Sequence, residues 1–212
     1  MMKLKKEFIS LSPDARLYHL QRPIIAITGG IATGKSTVSK ILKSKGLHIL
    51  DADQLVKKIY DTQEAKDFVR LIFPEAWDGQ INFKKLRELF FKDPSIKDRV
   101  ESFIYARLPE VFREASREVP DQDFYLYDIP LLFEKNLNIK VDLSIVVYAP
   151  GEIQFKRLVA RDQCTEDIAK EIINQQMNIE DKKMKADLVI DHSGTSEQLE
   201  GEVNKLLLEI LN

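Results

Sequence analysis

Apolar positions along this chain follow two rhythms, and the alternation between them predicts the fold class. Five short stretches read as strands: Ile24–Ile27, the LHIL segment that runs into Asp51, FYLYD at 124–128, VDLSIVVYAP ending at Pro150, and ADLVID just before His192. Ile24–Ile27 is uninterruptedly apolar, as a parallel strand covered on both faces must be. Between the strands the apolar residues return at helical spacing. Val38, Ile41 and Leu42 mark one helix, which Gly46 closes after Lys43 and Lys45, and Thr195 to Leu211 forms the terminal helix. Strands separated by helices predict an α/β fold with a five-stranded parallel sheet flanked by helices.

Two longer tracts lack strand rhythm. Residues from Gln54 to Val119 are helical and charged, punctuated by Pro74, Asp78-Gly79, Asp93-Pro94 and Pro109, and read as a helical insertion after the second strand. Residues 152–184 are also charged and helical and read as a lid. The expected organisation is an N-terminal arm at 1–23, a nucleotide-binding core of 24–57, 121–151 and 185–212, an insertion at 58–120, and the lid. The arm reads either as a short amphipathic helix over Ala15 to Leu20 packed on the core or as a disordered segment. The lid is expected to be the most mobile part of the unliganded protein.

The first strand feeds the run TGGIATGKST. Gly29, Gly30, Ile31, Ala32, Thr33, Gly34, Lys35, Ser36 and Thr37 form a phosphate-binding P-loop at the start of a helix. Backbone N–H groups of such a turn converge on the β-phosphate, Lys35 reaches the β and γ oxygens, and the Ser36 hydroxyl suits Mg2+. The helix N-terminus adds positive potential.

Around this loop the chain offers a small set of chemical groups. Asp51 ends the second strand, where polar groups of open α/β sheets face the nucleotide crevice, and is the favoured base toward a substrate hydroxyl. Asp53, followed at once by helical pattern, is the better candidate to cap the next helix. Asp128 ends a hydrophobic strand and reads either as a Mg2+-associated acid or as a buried strand-end hydrogen-bond partner. Arg157 and Arg161 are four apart and share a helix face, from which they could close over phosphates or form a solvated stripe with Asp162 as ion-pair partner. Guanidinium groups suit the spread charge of a transferring phosphoryl group.

Composition narrows the function classes. The chain has 212 residues, 44% hydrophobic and 31% charged, with a formal net charge of −2. That balance supports neither a nucleic-acid nor a membrane footprint. A single cysteine, Cys164, permits no internal disulfide and points to a cytoplasmic, reducing setting. The thiol reads as inert. His19, His48 and His192 lack metal-ligand spacing, so Mg2+ arriving with ATP is the expected metal. Switch GTPases need Asn-Lys-x-Asp and transport ATPases Leu-Ser-Gly-Gly-Gln, and the chain has neither. What remains is the plan of a small-molecule kinase.

The ordered set TGGIATGKST, LDAD, DIPLLFE, QFKRLVARD, NQQM and ADLVIDHSG resembles the dephospho-coenzyme A kinase family, over residues 24–208. The resemblance implies ATP-dependent phosphorylation of the ribose 3′-hydroxyl of dephospho-CoA. It implies Asp51 as general base, Asp53 and Lys57 in the acceptor site, and Leu131, Leu132 and Glu134 bordering the acceptor pocket. Arg157 and Arg161 would come from the lid, and His192 and Gly194 take the family's Asn-x-Gly position near the adenine. The chain departs from the family where Lys57 replaces an arginine, where His192 replaces the asparagine, and where Tyr105 and Ala106 replace His-Pro. Tyr105 is expected to pack, with stacking on the acceptor's adenine as the alternative.

Overall fold

The computed structural model describes residues 2–119 and 122–212. The expected boundary at 120/121 and Met1 of the arm lie outside them. The described chain divides into two compact units, one comprising the chain up to Leu50 together with Val119–Asn212, the other Asp51–Glu118.

In the first unit the strands are β1 (Ile24–Gly29), β2 (Ile49–Asp51), β3 (Tyr125–Asp128), β4 (Leu143–Tyr148) and β5 (Leu188–Asp191), in the order β2-β3-β1-β4-β5. β1 pairs in parallel with β3 and β4, and β4 in parallel with β5. Every residue of β1 and β4 is buried, which is why both are mostly apolar, with Thr28 and Ser144 as buried polar exceptions. All five expected strands are present.

Helix α1 (Lys35–Ser44) follows β1 and stops at Gly46, whose φ of 83° lets its N–H bond Lys43 and lets Leu47 bond back to Leu42. The C-terminal helix Ser196–Ile210 starts at a capping box, in which Gln198 N–H donates to the Thr195 hydroxyl and Thr195 N–H to the Gln198 side chain. Its stripe of Leu199, Val203, Leu206 and Ile210 joins Val38, Leu42, Ile25, Ile27, Leu126 and Ile145 in one core.

The N-terminal arm forms two short 3-10 turns, Lys6–Phe8 and Leu17–His19, in place of the expected helix over 15–20. Positive φ values at Tyr18 and His19 break any helix there. The arm is tied to the core by a buried ion pair: Arg16 Nε and Nη2 donate to Asp142 at 2.7 and 3.1 Å. Asp142 Oδ2 also accepts from the Ile24 N–H, at the first residue of β1, and Oδ1 from Leu11. Leu4 packs in the core, and the Lys5 ammonium donates to the Leu208 and Glu209 carbonyls at the end of the last helix.

The second unit is mainly helical, with α2 (Ala52–Asp61), α3 (Gln63–Ile72), α4 (Phe83–Lys92) and α5 (Pro94–Ser116). Each start is capped by a side chain, from Asp51, Thr62, Asn82 and Asp93. Pro109 does not punctuate the insertion as expected; α5 runs through it. A proline inside a helix costs about 3 kcal/mol. The buried stripe Val100, Ile104, Leu108, Phe112 and Ala115 spans it, and that burial offsets the cost.

Removing Asp142 would strand a buried guanidinium. The Asp142→Ala variant is expected to lose about 3–5 kcal/mol of stability in chemical denaturation; a loss below ~1 kcal/mol would show the arm to be an ornament of the fold.

Candidate active site

The P-loop begins where β1 leaves the sheet. Gly34 caps α1 with a φ of 94°, and any side chain there would collide with the His192 ring. Inside the turn the Thr33 hydroxyl donates to the Gly30 carbonyl at 2.9 Å, and Thr37 N–H donates to Gly34 at 2.9 Å.

Side chains from the far end of the chain hold the rest of the turn. Helix α6 (Gly151–Asp162) supplies Gln154 and Arg157, which share a face three residues apart. Gln154 is buried, donates to the Ala149 carbonyl at 3.1 Å, and brings its amide oxygen against Gly30. The Arg157 guanidinium donates to the Thr33 carbonyl at 3.4 Å and to the His192 carbonyl at 3.0 Å. After helix α7 (Glu166–Asn174), the Gln176 side-chain oxygen accepts the Ile31 N–H at 2.8 Å. Helix α8 (Ile179–Lys185) supplies Lys182, fully buried, whose ammonium meets Gly29, Pro130 and Glu134.

Lys35, the first residue of α1, forms an ion pair with Asp128 at the end of β3, and the Ser39 hydroxyl approaches the other Asp128 oxygen at 3.5 Å. Ser36 follows Lys35 and is exposed. Asp128 thus pairs with the P-loop lysine itself.

His192 follows β5 and lies beside the turn. Its Nδ1 is 2.8 Å from the Thr33 carbonyl, an acceptor, so the proton belongs on Nδ1. Burial, and then the Arg157 guanidinium, hold the imidazole below its ordinary value of 6.5, against the opposing pull of the Thr33 carbonyl and Asp191. His192 is therefore a prop of the loop backbone. Gly194 lines an open groove of ≈530 Å³ with Asp191, Ser193, Gln198 and Glu202.

The remaining expected residues divide. Arg161 is exposed and doubly bonded to Asp162 at 2.7 and 3.0 Å, so of the two arginines only Arg157 reaches the loop. In the turn after β3, Leu131 is exposed, but Leu132 is fully buried, and its side chain belongs to the core rather than a pocket wall. Glu134 bonds Lys182 at 2.8 Å and accepts the Met177 N–H at 3.1 Å.

In the helical unit Asp51, not Asp53, is the N-cap of α2: Gln54 N–H donates to Asp51 Oδ1 at 3.0 Å. Asp51 keeps the extended backbone angles of β2, as a residue flanking a helix start does, whereas Asp53 already lies in the first helical turn. Asp53 and Lys57 sit four apart on α2. Tyr105 on α5 is 47% exposed and does not pack into the core as expected.

The sequence reading passed over Gln154, Gln176 and Lys182. A signal for Lys182 exists in hindsight: it lies three residues after Ile179, and the two form the buried face of α8. Its place among Lys183 and Lys185 disguised it as part of a solvated run.

Comparison with known proteins identifies what the chain is similar to. The family model described as CoaE, dephospho-CoA kinase, matches residues 23–198. The dephospho-CoA kinase of Carboxydothermus hydrogenoformans is 39% identical over 196 residues, covering 87% of this chain and 93% of that protein. That of Enterococcus faecalis is 37% identical over 191 residues, covering 88% and 96%. A crystal structure from Thermus thermophilus aligns with a TM-score of 0.80 at 29% identity, covering 89% of this chain and 97% of that one. A dephospho-CoA kinase structure from Campylobacter jejuni gives a TM-score of 0.63 at 29% identity, covering 88% and 96%.

The depressed pKa has a sign that can be checked. As pH falls, the unfolded chain takes up the His192 proton before the folded one. Stability from the neutral ring is therefore complete above about 6.5 and is lost on acidification toward the lower folded value. An NMR titration should place His192 below 6.5, and Arg157→Ala should move it upward; a midpoint at or above 6.5 in the unaltered chain would refute the assigned environment.

Proposed function

The chain belongs to the dephospho-CoA kinase family, and from that premise we propose how its own residues divide the work. The reaction is ATP-dependent phosphorylation of dephospho-CoA to coenzyme A and ADP, the final step of coenzyme A synthesis. In it the ribose 3′-oxygen attacks the γ-phosphorus, the bond from the γ-phosphorus to the β,γ-bridging oxygen breaks, and the hydroxyl proton passes to a base. Little covalent work falls to the protein, so positioning and charge neutralisation dominate.

The P-loop backbone over Gly29–Gly34 and the N-terminus of α1 hold the β-phosphate. Lys35 is kept at the start of α1 by Asp128 until phosphate oxygens compete for its ammonium. Arg157 supports a role on the transferring phosphoryl group, because its guanidinium already lies against the Thr33 carbonyl within the loop. Arg161 stands one turn further along the lid helix and would have to leave Asp162 to join it. The polar groove beside Gly194 suits the adenine, with Gly194 rather than His192 at the base, since the imidazole is committed to Thr33.

Asp51 is the proposed base. Its cap bond to Gln54 commits Oδ1 and orients the carboxylate, leaving Oδ2 for the 3′-hydroxyl proton. Asp53 and Lys57 along α2 and Tyr105 on α5 are assigned to the acceptor, with Leu131 contributing from the turn after β3, while Glu134 is committed to Lys182 and the Met177 N–H. Lys57 provides a point charge rather than a bidentate fork for an acceptor phosphate.

Ser36 and Asp128 fit Mg2+: both offer oxygen, and among the described residues no cluster of three acidic, histidine or cysteine side chains would form a separate metal cage. When bound, Mg2+ would neutralise charge on the phosphates of the nucleotide. Segment 152–184 is proposed as the lid that excludes water, and 58–120 as the acceptor-binding insertion. Among the described residues no helix is long and apolar enough to cross a membrane; the lone cysteine supports a cytoplasmic setting.

The observation that carries this reading is the intact P-loop with Lys35, Asp128 and Arg157 gathered on it. With Mg-ATP and dephospho-CoA, Asp51→Asn is expected to lower kcat by about 10²–10⁴-fold while ATP still binds. A variant that turns over at the unaltered rate would remove Asp51 from the chemistry.

A further inference from the structure

Lys182 is a lysine with no accessible surface, in the short helix α8. Burying an ammonium costs several kcal/mol unless good partners replace its water. Its three N–H donors find three acceptors: the Gly29 carbonyl at 3.3 Å, the Pro130 carbonyl at 3.2 Å and Glu134 Oε1 at 2.8 Å. We infer that Lys182 is a positioning residue for phosphoryl transfer, fixing through the Gly29 carbonyl the peptide plane from which the P-loop departs.

The acceptors explain why an ammonium is needed here. Gly29 is the last residue of β1, and Pro130 lies two residues beyond the end of β3, so both carbonyls stand where the ladder between these strands gives out. The Thr28 hydroxyl donates to the same Pro130 carbonyl at 3.1 Å. An aliphatic side chain of equal length would fill the space but supply no donor to either carbonyl. Because the peptide unit is planar, orienting the Gly29 C=O also orients the Gly30 N–H at the start of the loop.

Helix α8 is itself fixed. The Tyr148 hydroxyl, at the end of β4, donates to Glu180 at 2.7 Å, and this bond is the main reason its pKa is pushed up to about 12. The Lys183 ammonium lies 4.0 Å from the centre of the Tyr148 ring. Just before the helix, Gln176 holds the Ile31 N–H. The root of the lid segment is therefore a brace on the ends of β1, β3 and β4, and Lys182 is its point of contact with the loop.

This rests on reading the loop as the ATP site, and the test separates the two claims. The full chain is compared with Lys182→Arg and with the double variant Lys182→Met, Glu134→Gln, which removes both charges so that neither is left buried alone. Denaturation midpoints, KM for each substrate, kcat, and ATP affinity by calorimetric titration are measured. The double variant is expected to keep its midpoint but lose about 10²-fold in kcat/KM for ATP, with KM for dephospho-CoA unchanged and ATP affinity weakened in parallel. The arginine variant, which keeps a charge for Glu134, is expected to fold and fall in between. If the double variant does not fold, the arginine variant decides. Unaltered ATP affinity and kcat/KM in a folded variant, or a loss confined to dephospho-CoA, overturns the inference. Absence of coenzyme A from the unaltered chain would instead sink the reading of the reaction, and the ATP titration would still judge Lys182.

Discussion

A parallel sheet ends abruptly at its carboxyl edge, and the polar backbone groups of whatever chain leaves there must be satisfied by something other than the next strand. In this protein that constraint falls on the turn after β1. Two of its carbonyls and one of its N–H groups are met by side chains drawn from 157–192: Lys182 for Gly29, Arg157 and His192 for Thr33, Gln176 for Ile31. Segment 152–184, proposed as the lid, supplies three of these four side chains.

This arrangement divides the lid segment by function. Its two ends are tied down, one by buried Gln154 and Arg157, the other by Gln176, Glu180 and Lys182. Between them lie the end of α6, with the exposed pair of Arg161 and Asp162, and α7, with exposed Ile168. Local opening is expected where few buried contacts oppose it, so on the proposed reading of this segment as a lid, closure over ATP would fall to this middle stretch while the ends keep the loop in shape.

Much of this was legible in the sequence, for physical reasons. Strands buried on both faces are mostly apolar, so β1 and β4 announce themselves, and a glycine-rich turn between a strand and a helix has few other uses. What escaped notice depends on tertiary partners. Asp51 and Asp53 both precede helical pattern, and only the backbone angles decide which one caps α2. Leu131 and Leu132 are alike in composition, yet one faces solvent and the other the core. Pro109 is tolerated because the apolar stripe of α5 runs past it. Arg16 finds its carboxylate 126 residues away, and Lys182 finds Gly29 at a separation of 153, so neither pairing leaves a local trace.

Amide hydrogen exchange over residues 29–37 of the unliganded full chain tests most directly the claim that side chains hold the phosphate loop before nucleotide arrives. The account predicts an Ile31 amide already protected without ATP and exposed to exchange in the Gln176→Ala variant. Ile31 exchanging at the rate of an open loop, with protection appearing only when ATP is added, would contradict it.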